Sequence, residues 1–293
     1  RCSTARRLPK VSLGSQTGDL YLTNLPANQI PGSHDFVVKV TDDADQSLSA
    51  QNTITVNLEA STIVYIDPEK SAELQQDGSY QYPYSSWSQV GWQEGFKYLQ
   101  KRSTMVNEEK IIIGANNVIV GDYGVGERPV INCSTNEYAL KVMEKHDISI
   151  RNLEVRAENA VGCIYFIGAE CVENTVENCN LMGADYGLRI IDGTSYRVKY
   201  NVFNNKVDGI YSIADFAEIY YNVFKGNHTA INLSSYSSSA QIYNNVFYDN
   251  RQGISTSYAE ISLFNNIFYM TLAGDQAINH KLDKLVSNNN VFY

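Results

Sequence analysis

One column of side chains in this 293-residue chain combines residue types that can do acid–base chemistry. A marker, made of a small residue followed by Ile or Leu, recurs every 21 to 24 residues from Ala139-Leu140 to Ala277-Ile278. If each marker occupies the same place in a repeated unit, the residues that follow it form one outward-facing column. These residues are Lys141, Tyr165, Arg189, Tyr211, Asn232, Ser255 and Asn279.

This column suits β-elimination from a uronate sugar. The reaction needs a cation that neutralises the sugar carboxylate and a base, such as Lys, Arg, Tyr or His, that removes the neighbouring proton. Arg189 and Lys141 could pair with carboxylates or act as the base, and Tyr211 could assist. We therefore predict catalytic roles for Arg189, Lys141 and Tyr211, and substrate contacts for Tyr165 and Asn232.

Three aspartates near the middle of the column are candidate calcium ligands. Calcium held by several carboxylates can supply the positive charge, and it binds through oxygen atoms. Asp185, Asp208 and Asp215 could form such a cluster. The alternative is that they are turn residues, because Asp is common in turns and Asp208 directly precedes Gly209.

Two further patterns leave the reaction type open. Asp192 and Asp215 lie 23 residues apart, and glycoside hydrolysis needs two carboxylates flanking the bond. A second column, Lys199-Tyr220-Tyr243-Phe264, is an aromatic stripe. Tyr220 and Tyr243 are predicted to contact the substrate by stacking on sugar rings, although the stripe could instead stabilise neighbouring repeats.

A second repeated phrase, in phase with the marker, indicates what positions these columns. Its clearest copies are Val198-Lys-Tyr-Asn-Val-Phe203, Ile219-Tyr-Tyr-Asn-Val-Phe224, Ile242-Tyr-Asn-Asn-Val-Phe247 and Leu263-Phe-Asn-Asn-Ile-Phe268. Apolar and polar residues alternate in short runs separated by Asn, Gly and Asp, which is typical of β-strands. A repeat of this length built from short strands predicts an all-β fold, a right-handed parallel β-helix whose successive turns stack as parallel sheets.

The Asn and Phe residues of the repeat are predicted to be structural. Asn tolerates the left-handed conformation used at sharp bends. Asn205, Asn227 and Asn250 recur at matching points and could form a ladder of side-chain amides. The phenylalanines are predicted to form an internal stack of Phe203, Phe224, Phe247, Phe268 and Phe292.

Composition limits the partners and the compartment. The formal charge of −9 disfavours nucleic acid, and no apolar run is long enough to span a membrane. The cysteines are odd in number and lack zinc-site spacing, which argues against a disulfide framework and a zinc site; they are Cys2, Cys133, Cys163, Cys171 and Cys179. Few charges and many Tyr, Asn and Ser residues favour a secreted or cell-surface protein, and we expect a monomer.

The first 60 residues differ in their sequence pattern from the repeats. Residues 35–42 and 52–58 alternate as two strands joined by a polar turn, which resembles the end of a cadherin-like or immunoglobulin-like β-sandwich. Asp42, Asp43 and Asp45 could hold calcium or form a solvated turn. We predict three regions: a partial sandwich at 1–60, an opening and capping region at 61–110, and the β-helix at 111–293, which is expected to continue beyond the sequence.

A phrase that precedes the repeats carries a family resemblance. It contains Val64-Tyr-Ile-Asp-Pro68, Asp77-Gly-Ser79, Pro83-Tyr-Ser-Ser-Trp87 and Arg128-Pro-Val-Ile131. With it, residues 63–293 resemble secreted bacterial right-handed β-helix proteins, many of which are polysaccharide lyases. The resemblance implies that this phrase caps the coil, with a short helix around residues 86–94.

The resemblance and the columns together predict an extracellular carbohydrate-active protein. A lyase that cleaves an acidic polysaccharide is the leading hypothesis, because side chains stacked about 4.8 Å apart can follow an extended sugar chain. A non-catalytic glycan-binding protein, surface stalk or adhesin is the first alternative. A glycoside hydrolase is the second.

Overall fold

The computed structural model describes residues 10–13, 20–23, 32–41, 49–58, 62–70, 75–234, 239–257, 259–280 and 285–293. The chain divides into two units. The first contains Arg1–Thr62 and Ser79–Gln81, and the second contains Ile63–Gly78 and Tyr82–Tyr293. Asp42, Asp43, Asp45 and Cys2, which the sequence singled out, lie outside the described residues.

The first unit contains two antiparallel strand pairs. Strand β1 (Lys10–Leu13) pairs with β2 (Leu20–Thr23), and β3 (Gly32–Thr41) pairs with β4 (Ser49–Leu58) along their full length. The predicted strands at residues 35–42 and 52–58 correspond to β3 and β4. A cadherin-like or immunoglobulin-like module stays a prediction.

The second unit is a coil of short parallel strands. Its strands are β5 (Ile63–Ile66), β6 (Lys97–Lys101), β7 (Met105–Glu108), β8 (Ile111–Ile113), β9 (Ile119–Tyr123), β10 (Val130–Cys133), β11 (Tyr138–Met143), β12 (Ser149–Arg151), β13 (Glu154–Arg156), β14 (Gly162–Ile167), β15 (Thr175–Glu177), β16 (Asn180–Met182), β17 (Tyr186–Ile191), β18 (Tyr196–Lys199), β19 (Val202–Asn204), β20 (Asp208–Ser212), β21 (Phe216–Tyr220), β22 (Val223–Lys225), β23 (Thr229–Leu233), β24 (Ser239–Tyr243), β25 (Val246–Tyr248), β26 (Gln252–Thr256), β27 (Glu260–Phe264), β28 (Ile267–Tyr269), β29 (Gln276–His280), β30 (Leu285–Asn288) and β31 (Val291–Phe292).

Three parallel sheets run along the coil. Sheet I has the order β30-β27-β24-β21-β18-β15-β12-β9-β6-β5, sheet II has β31-β28-β25-β22-β19-β16-β13-β10-β7, and sheet III has β29-β26-β23-β20-β17-β14-β11-β8. The chain passes through sheets I, II and III in each turn, so every third strand pairs. The predicted parallel β-helix is therefore confirmed, with about eight turns in the described part of the chain.

The core of the coil consists of the inward-facing residue of each strand. Val198 of sheet I, Phe203 of sheet II and Ile210 of sheet III are all fully buried, and corresponding residues are buried in neighbouring turns. The predicted phenylalanine stack is confirmed, because the rings lie nearly parallel with centroids 4.4–5.1 Å apart from Phe203 to Phe292. Offset stacking at this separation is favourable for aromatic rings.

Buried asparagines form two ladders at the bends of the coil. In the first ladder, the backbone N–H of each Asn donates to the Oδ1 atom of the next, as from Asn201 to Asn222 at 2.9 Å. The second ladder is the predicted one, in which Asn205 and Asn227 donate to the Oδ1 atoms of Asn227 and Asn250 at 2.8 and 3.0 Å. The structural interpretation of these residues is confirmed, since the amides pair polar groups that burial would otherwise leave unsatisfied.

The predicted helix at residues 86–94 is much shorter in the structure. A 3₁₀ helix spans Trp87–Gln89, with Ser86 as its N-cap, and the chain is extended at Val90. Beyond the helix, the Tyr98 hydroxyl accepts a hydrogen bond from Gln93 N at 2.5 Å. No helix in the described ranges is long and apolar enough to cross a membrane.

Candidate functional site

The first predicted column lies in register along sheet III. Lys141 on β11, Tyr165 on β14, Arg189 on β17, Tyr211 on β20 and Asn232 on β23 are successive Cα partners. Each belongs to the partly exposed outer surface of its strand. Strand spacing places neighbours about 4.8 Å apart. The sequence markers therefore predicted the alignment of this column correctly, whereas the roles of its residues stay predictions.

A second column on sheet III contributes two tyrosines that sequence reasoning missed. Tyr138, Gly162, Tyr186 and Asp208 are successive register partners on β11, β14, β17 and β20. Gly162 leaves space that the ring of Tyr138 fills, because a Cβ atom at Gly162 would lie 2.4 Å from Tyr138 Cε1. The ring of Tyr138 thereby extends across β14, the strand of Gly162, and reaches β17. A Tyr directly before the marker, in Tyr138-Ala139 and Tyr186-Gly187, was the available signal.

Arg189 is the centre of this arrangement. Its Nη1 atom donates to the Tyr138 hydroxyl oxygen at 2.7 Å. Its guanidinium carbon lies 5.1 Å from the ring centroid of Tyr186, 5.5 Å from that of Tyr211 and 5.7 Å from that of Tyr165. These distances are within the range of cation–π attraction. We call this set of five residues the Arg189 cluster.

The hydrogen-bonding capacity of Arg189 is only partly used. Nε is buried and has no hydrogen-bond partner among the described residues. The same residues accept no hydrogen bond from Nη2, and this atom is not buried. An unsatisfied buried donor costs about 1–3 kcal/mol or more when the group is charged. The guanidinium of Arg189 is therefore a cation at the surface, surrounded by aromatic rings, with hydrogen-bond donors that no described residue uses.

Lys141 extends the positive charge of the column. It lies two rungs from Arg189, and its Nζ atom is 5.8 Å from the ring centroid of Tyr165. Two rungs correspond to about 9.6 Å. The two cations therefore flank Tyr165, whose ring also stacks on Tyr138 with centroids 4.3 Å apart.

Burial shifts the pKa of two acidic groups on sheet III. It raises the pKa of the Tyr138 hydroxyl, an effect that the hydrogen bond from Arg189 opposes. It also raises the pKa of Asp208, which hydrogen bonds from Asn232 and Thr229 oppose. Asn232 Nδ2 donates to Asp208 Oδ2 at 3.1 Å, so Asp208 orients the predicted substrate-binding amide.

Most of the β-helix matches the model of one protein family. Residues 71–282 match the family model described as periplasmic copper-binding protein (NosD). The chain belongs to the NosD family. No match was found among curated proteins.

Two solved structures are similar to this NosD-family chain. One is the crystal structure of GH136 lacto-N-biosidase from Eubacterium ramulus, with 11% identity, a TM-score of 0.46, and coverage of 79% of this chain and 67% of that chain. The other is a rhamnogalacturonan lyase, with 9% identity, a TM-score of 0.47, and coverage of 78% of this chain and 87% of that chain. At these identities the likeness concerns the fold and carries no functional assignment.

The structure does not bring the three predicted calcium ligands together. Asp208 is the first residue of β20, a five-residue strand, and Asp215 lies beyond its last residue. The ends of such a strand are about 13 Å apart. Asp185 precedes β17, and the Asp208 carboxylate is buried against Asn232. The predicted cluster is not formed, and the described residues contain no group of three His, Cys, Asp or Glu side chains that could hold a metal ion.

The second predicted column lies on sheet I, on a different face of the coil. Lys199, Tyr220, Tyr243 and Phe264 are register partners on β18, β21, β24 and β27. The rings of Tyr220 and Tyr243 are parallel within 4°, with centroids 4.8 Å apart. The aromatic stripe was therefore predicted correctly, but the predicted substrate-binding residues are divided between two faces.

Proposed function

We propose that the protein binds a uronate-containing polysaccharide along sheet III and cleaves it by β-elimination. The observation that carries this proposal is the guanidinium of Arg189, which lies among four tyrosines and uses only part of its hydrogen-bonding capacity. A carboxylate on a sugar ring needs a cation with open donors, and the ring itself needs an aromatic surface. The Arg189 cluster offers both at one point, and a charge-assisted bond there contributes more than a neutral one.

Each column residue has a distinct role in the proposed reaction. Arg189 pairs with the carboxylate and makes the neighbouring C–H more acidic. Tyr211, one rung away, takes that proton in its ionised form, the electron pair forms the new C=C bond, and the bond to the glycosidic oxygen breaks. Tyr211 then returns the proton to the leaving oxygen. Lys141, two rungs from Arg189, pairs with the carboxylate of a second sugar.

Non-catalytic binding of the same glycan is the second candidate. The packing of rings around Arg189 suits binding whether or not a base is present, so this candidate shares the site. Glycoside hydrolysis has less support, because the Arg189 cluster contains no carboxylate, and Asp208 at the start of β20 is buried and bonded to Asn232. An extracytoplasmic location is consistent with a periplasmic protein family.

Copper, which the family description names, does not fit the arrangement of the described His, Cys, Asp and Glu side chains. Copper prefers thiolate, thioether and imidazole ligands. Burial raises the pKa of Cys163 and of Cys179 to about 12, which disfavours the thiolate form that binds a metal. In the described part of the chain, no three His, Cys, Asp or Glu side chains form a group that could hold a metal ion. No step of the proposed reaction uses copper.

A lyase assay tests the proposal. Incubation with pectin, alginate or a glycosaminoglycan should produce the ultraviolet absorbance of an unsaturated sugar. Tyr211→Phe should lower the rate by about 10²–10⁴-fold, the usual contribution of a proton-transfer group. Arg156→Ala is the matched control, since this exposed arginine is on sheet II and pairs with Glu154 at 2.5 Å. Binding without the unsaturated product would support the non-catalytic candidate, and full activity of Arg189→Ala would contradict the assignment of the site.

A further inference from the structure

The bend between sheets I and II carries two tyrosines in an unusual backbone conformation. From β12 onward, one residue at each of these bends has a positive φ of 52–59°. These residues are Asn152, Asn178, Tyr200, Tyr221, Asn244, Asn265 and Asn289. Asn adopts this left-handed conformation readily, whereas a bulky side chain rarely does. Two neighbouring turns therefore use tyrosine where the repeat elsewhere uses asparagine.

The tyrosines bring no gain in backbone hydrogen bonding. The N–H of Tyr200 reaches the carbonyl of Tyr220 at 3.4 Å, and that of Tyr221 reaches Tyr243 at 3.3 Å. The corresponding distances from the asparagines are 3.0–3.2 Å. The positive φ of a bulky residue indicates strain at these two bends. Strained residues of this kind persist where another requirement fixes them, and they are frequent at functional sites.

The two strained tyrosines form an exposed aromatic surface. Their rings are parallel within 2°, with centroids 5.2 Å apart, and Tyr200 is 50% exposed and Tyr221 48% exposed. The ring of Tyr220 meets that of Tyr221 edge-on at 5.7 Å and stacks on that of Tyr243 at 4.8 Å. We call these four residues the tyrosine platform. It is continuous with the aromatic stripe of sheet I.

The charges beside the platform are neutralised by ion pairs. Lys199, which lies 5.9 Å from the Tyr200 ring, pairs with Glu177 at 3.1 Å. Arg197 pairs with Glu218 at 3.5 Å on the same sheet. This differs from the Arg189 cluster, where the guanidinium retains free donors. The platform therefore selects for an uncharged ligand with flat apolar faces and hydroxyl groups, because tyrosine combines an apolar ring with a polar tip.

We propose that the tyrosine platform is a second glycan-binding surface, which holds the ring faces of uncharged sugars. It lies on a different face of the coil from the Arg189 cluster and does not depend on the function proposed for that cluster. Rings that repeat at the strand spacing contact successive sugars of an extended chain. The requirement for these contacts accounts for tyrosine at two bends where asparagine would relieve the strain.

The repeat itself supplies the variant that tests this proposal. The double substitution Tyr200→Asn and Tyr221→Asn installs the residue found at the other bends, so it removes the rings and relieves the strain. The probes are hydroxyethylcellulose, xyloglucan and galactan, each cast in an affinity electrophoresis gel. We expect at least one of them to retard the unmodified protein, and the double variant to bind it at least tenfold more weakly. Its thermal unfolding midpoint should be equal or higher.

Two controls separate this surface from others. Tyr248 and Tyr269 of sheet II are also exposed and stacked, with centroids 5.5 Å apart, but they lie in ordinary strands. Their replacement by Asn should leave retardation unchanged, as should Arg189→Ala. Three results would overturn the proposal: no retardation by any probe, equal retardation of the double variant, or a lower unfolding midpoint of that variant, which would show that the rings are retained for stability.

Discussion

Replacing Gly162 with Ala tests how the Tyr138 ring is placed against Arg189. Gly162 lies between Tyr138 and Tyr186 in the register of sheet III. An added Cβ atom would come within 2.4 Å of Cε1 and 2.5 Å of Cδ1 of Tyr138, which no packed structure tolerates. The φ angle of Gly162 is not positive, so the effect would come from these contacts and from a weaker one with the Tyr186 carbonyl oxygen at 3.1 Å. The ring must move, and it then loses its hydrogen bond from Arg189.

The expected cost follows from these two losses. Overpacking of a filled site costs about 1–3 kcal/mol. A hydrogen bond from a charged group contributes about 1.5–3 kcal/mol. Gly162→Ala should therefore lower the free energy of unfolding by about 2.5–6 kcal/mol, with the lower end expected because water can replace part of the bond. Binding of an acidic glycan should weaken in parallel, since Arg189 would no longer be held in place.

Urea unfolding in two backgrounds provides the assay. Tyr138→Ala removes the ring that the new methyl group would meet. In that background, Gly162→Ala should cost less than about 1 kcal/mol, so the two substitutions should be strongly non-additive. An equal loss in both backgrounds would refute the inferred contact. So would a Gly162→Ala variant that unfolds like the unmodified protein.

Three further predictions concern the buried groups of the coil. Asn222→Ala should lower the free energy of unfolding by about 2–4 kcal/mol, because it leaves the buried Asn201 N–H without its acceptor and removes the hydrogen bond to the Val198 carbonyl. Asn204→Ala, at an exposed position, is the control and should cost less than about 0.5 kcal/mol. Equal urea midpoints for the two variants would contradict this prediction. Burial raises the pKa of Asp208, so its contribution to stability is greatest below about pH 4 and is lost as the pH rises through the raised pKa. Asp208→Asn should therefore raise the melting temperature at pH 7 more than at pH 4, and the opposite order would refute it. Because burial raises the pKa of Cys163 and Cys179 to about 12, iodoacetamide at pH 8 should label both thiols in urea but not in the folded protein. Labelling is measured by mass spectrometry, and rapid labelling of the folded protein would contradict this prediction.

The sequence was sufficient to predict the coil and its columns. The repeated Asn-x-Phe phrase recurs at nearly constant spacing, and each copy occupies one turn, so Phe203 and Phe224 had to stack. The same spacing placed Arg189 next to Tyr165 and Tyr211. Periodicity is sufficient for such predictions because each turn contacts only its neighbours.

Details that depend on packing across turns could not be predicted in this way. The role of Tyr138 depends on the missing side chain of Gly162 on the next strand, and no local pattern indicates that space. The three aspartates predicted to bind calcium are not brought together, because Asp208 and Asp215 stand at different distances from the Gly209-Ile210 marker. Asp208 is the first residue of β20, whereas Asp215 follows the end of that strand.

The strained tyrosines are a different case. Tyr200 and Tyr221 occupy the place of an asparagine that recurs at the other bends, and this exception was visible in the sequence. Its meaning depends on the positive φ and the longer hydrogen bonds, which only the structure provides.

The most direct test of the account is a calorimetric titration with defined oligouronates, a galacturonate hexamer, a guluronate hexamer and a hyaluronan hexamer, at low and high salt. We expect one of them to bind the unmodified protein and the Arg156→Ala control equally, and to bind Arg189→Ala at least tenfold more weakly at low salt. The difference should shrink at high salt, because an exposed cation–carboxylate contact is screened. Absence of binding to all three, or equal binding to Arg189→Ala, would contradict the assignment of sheet III as an acidic-glycan site.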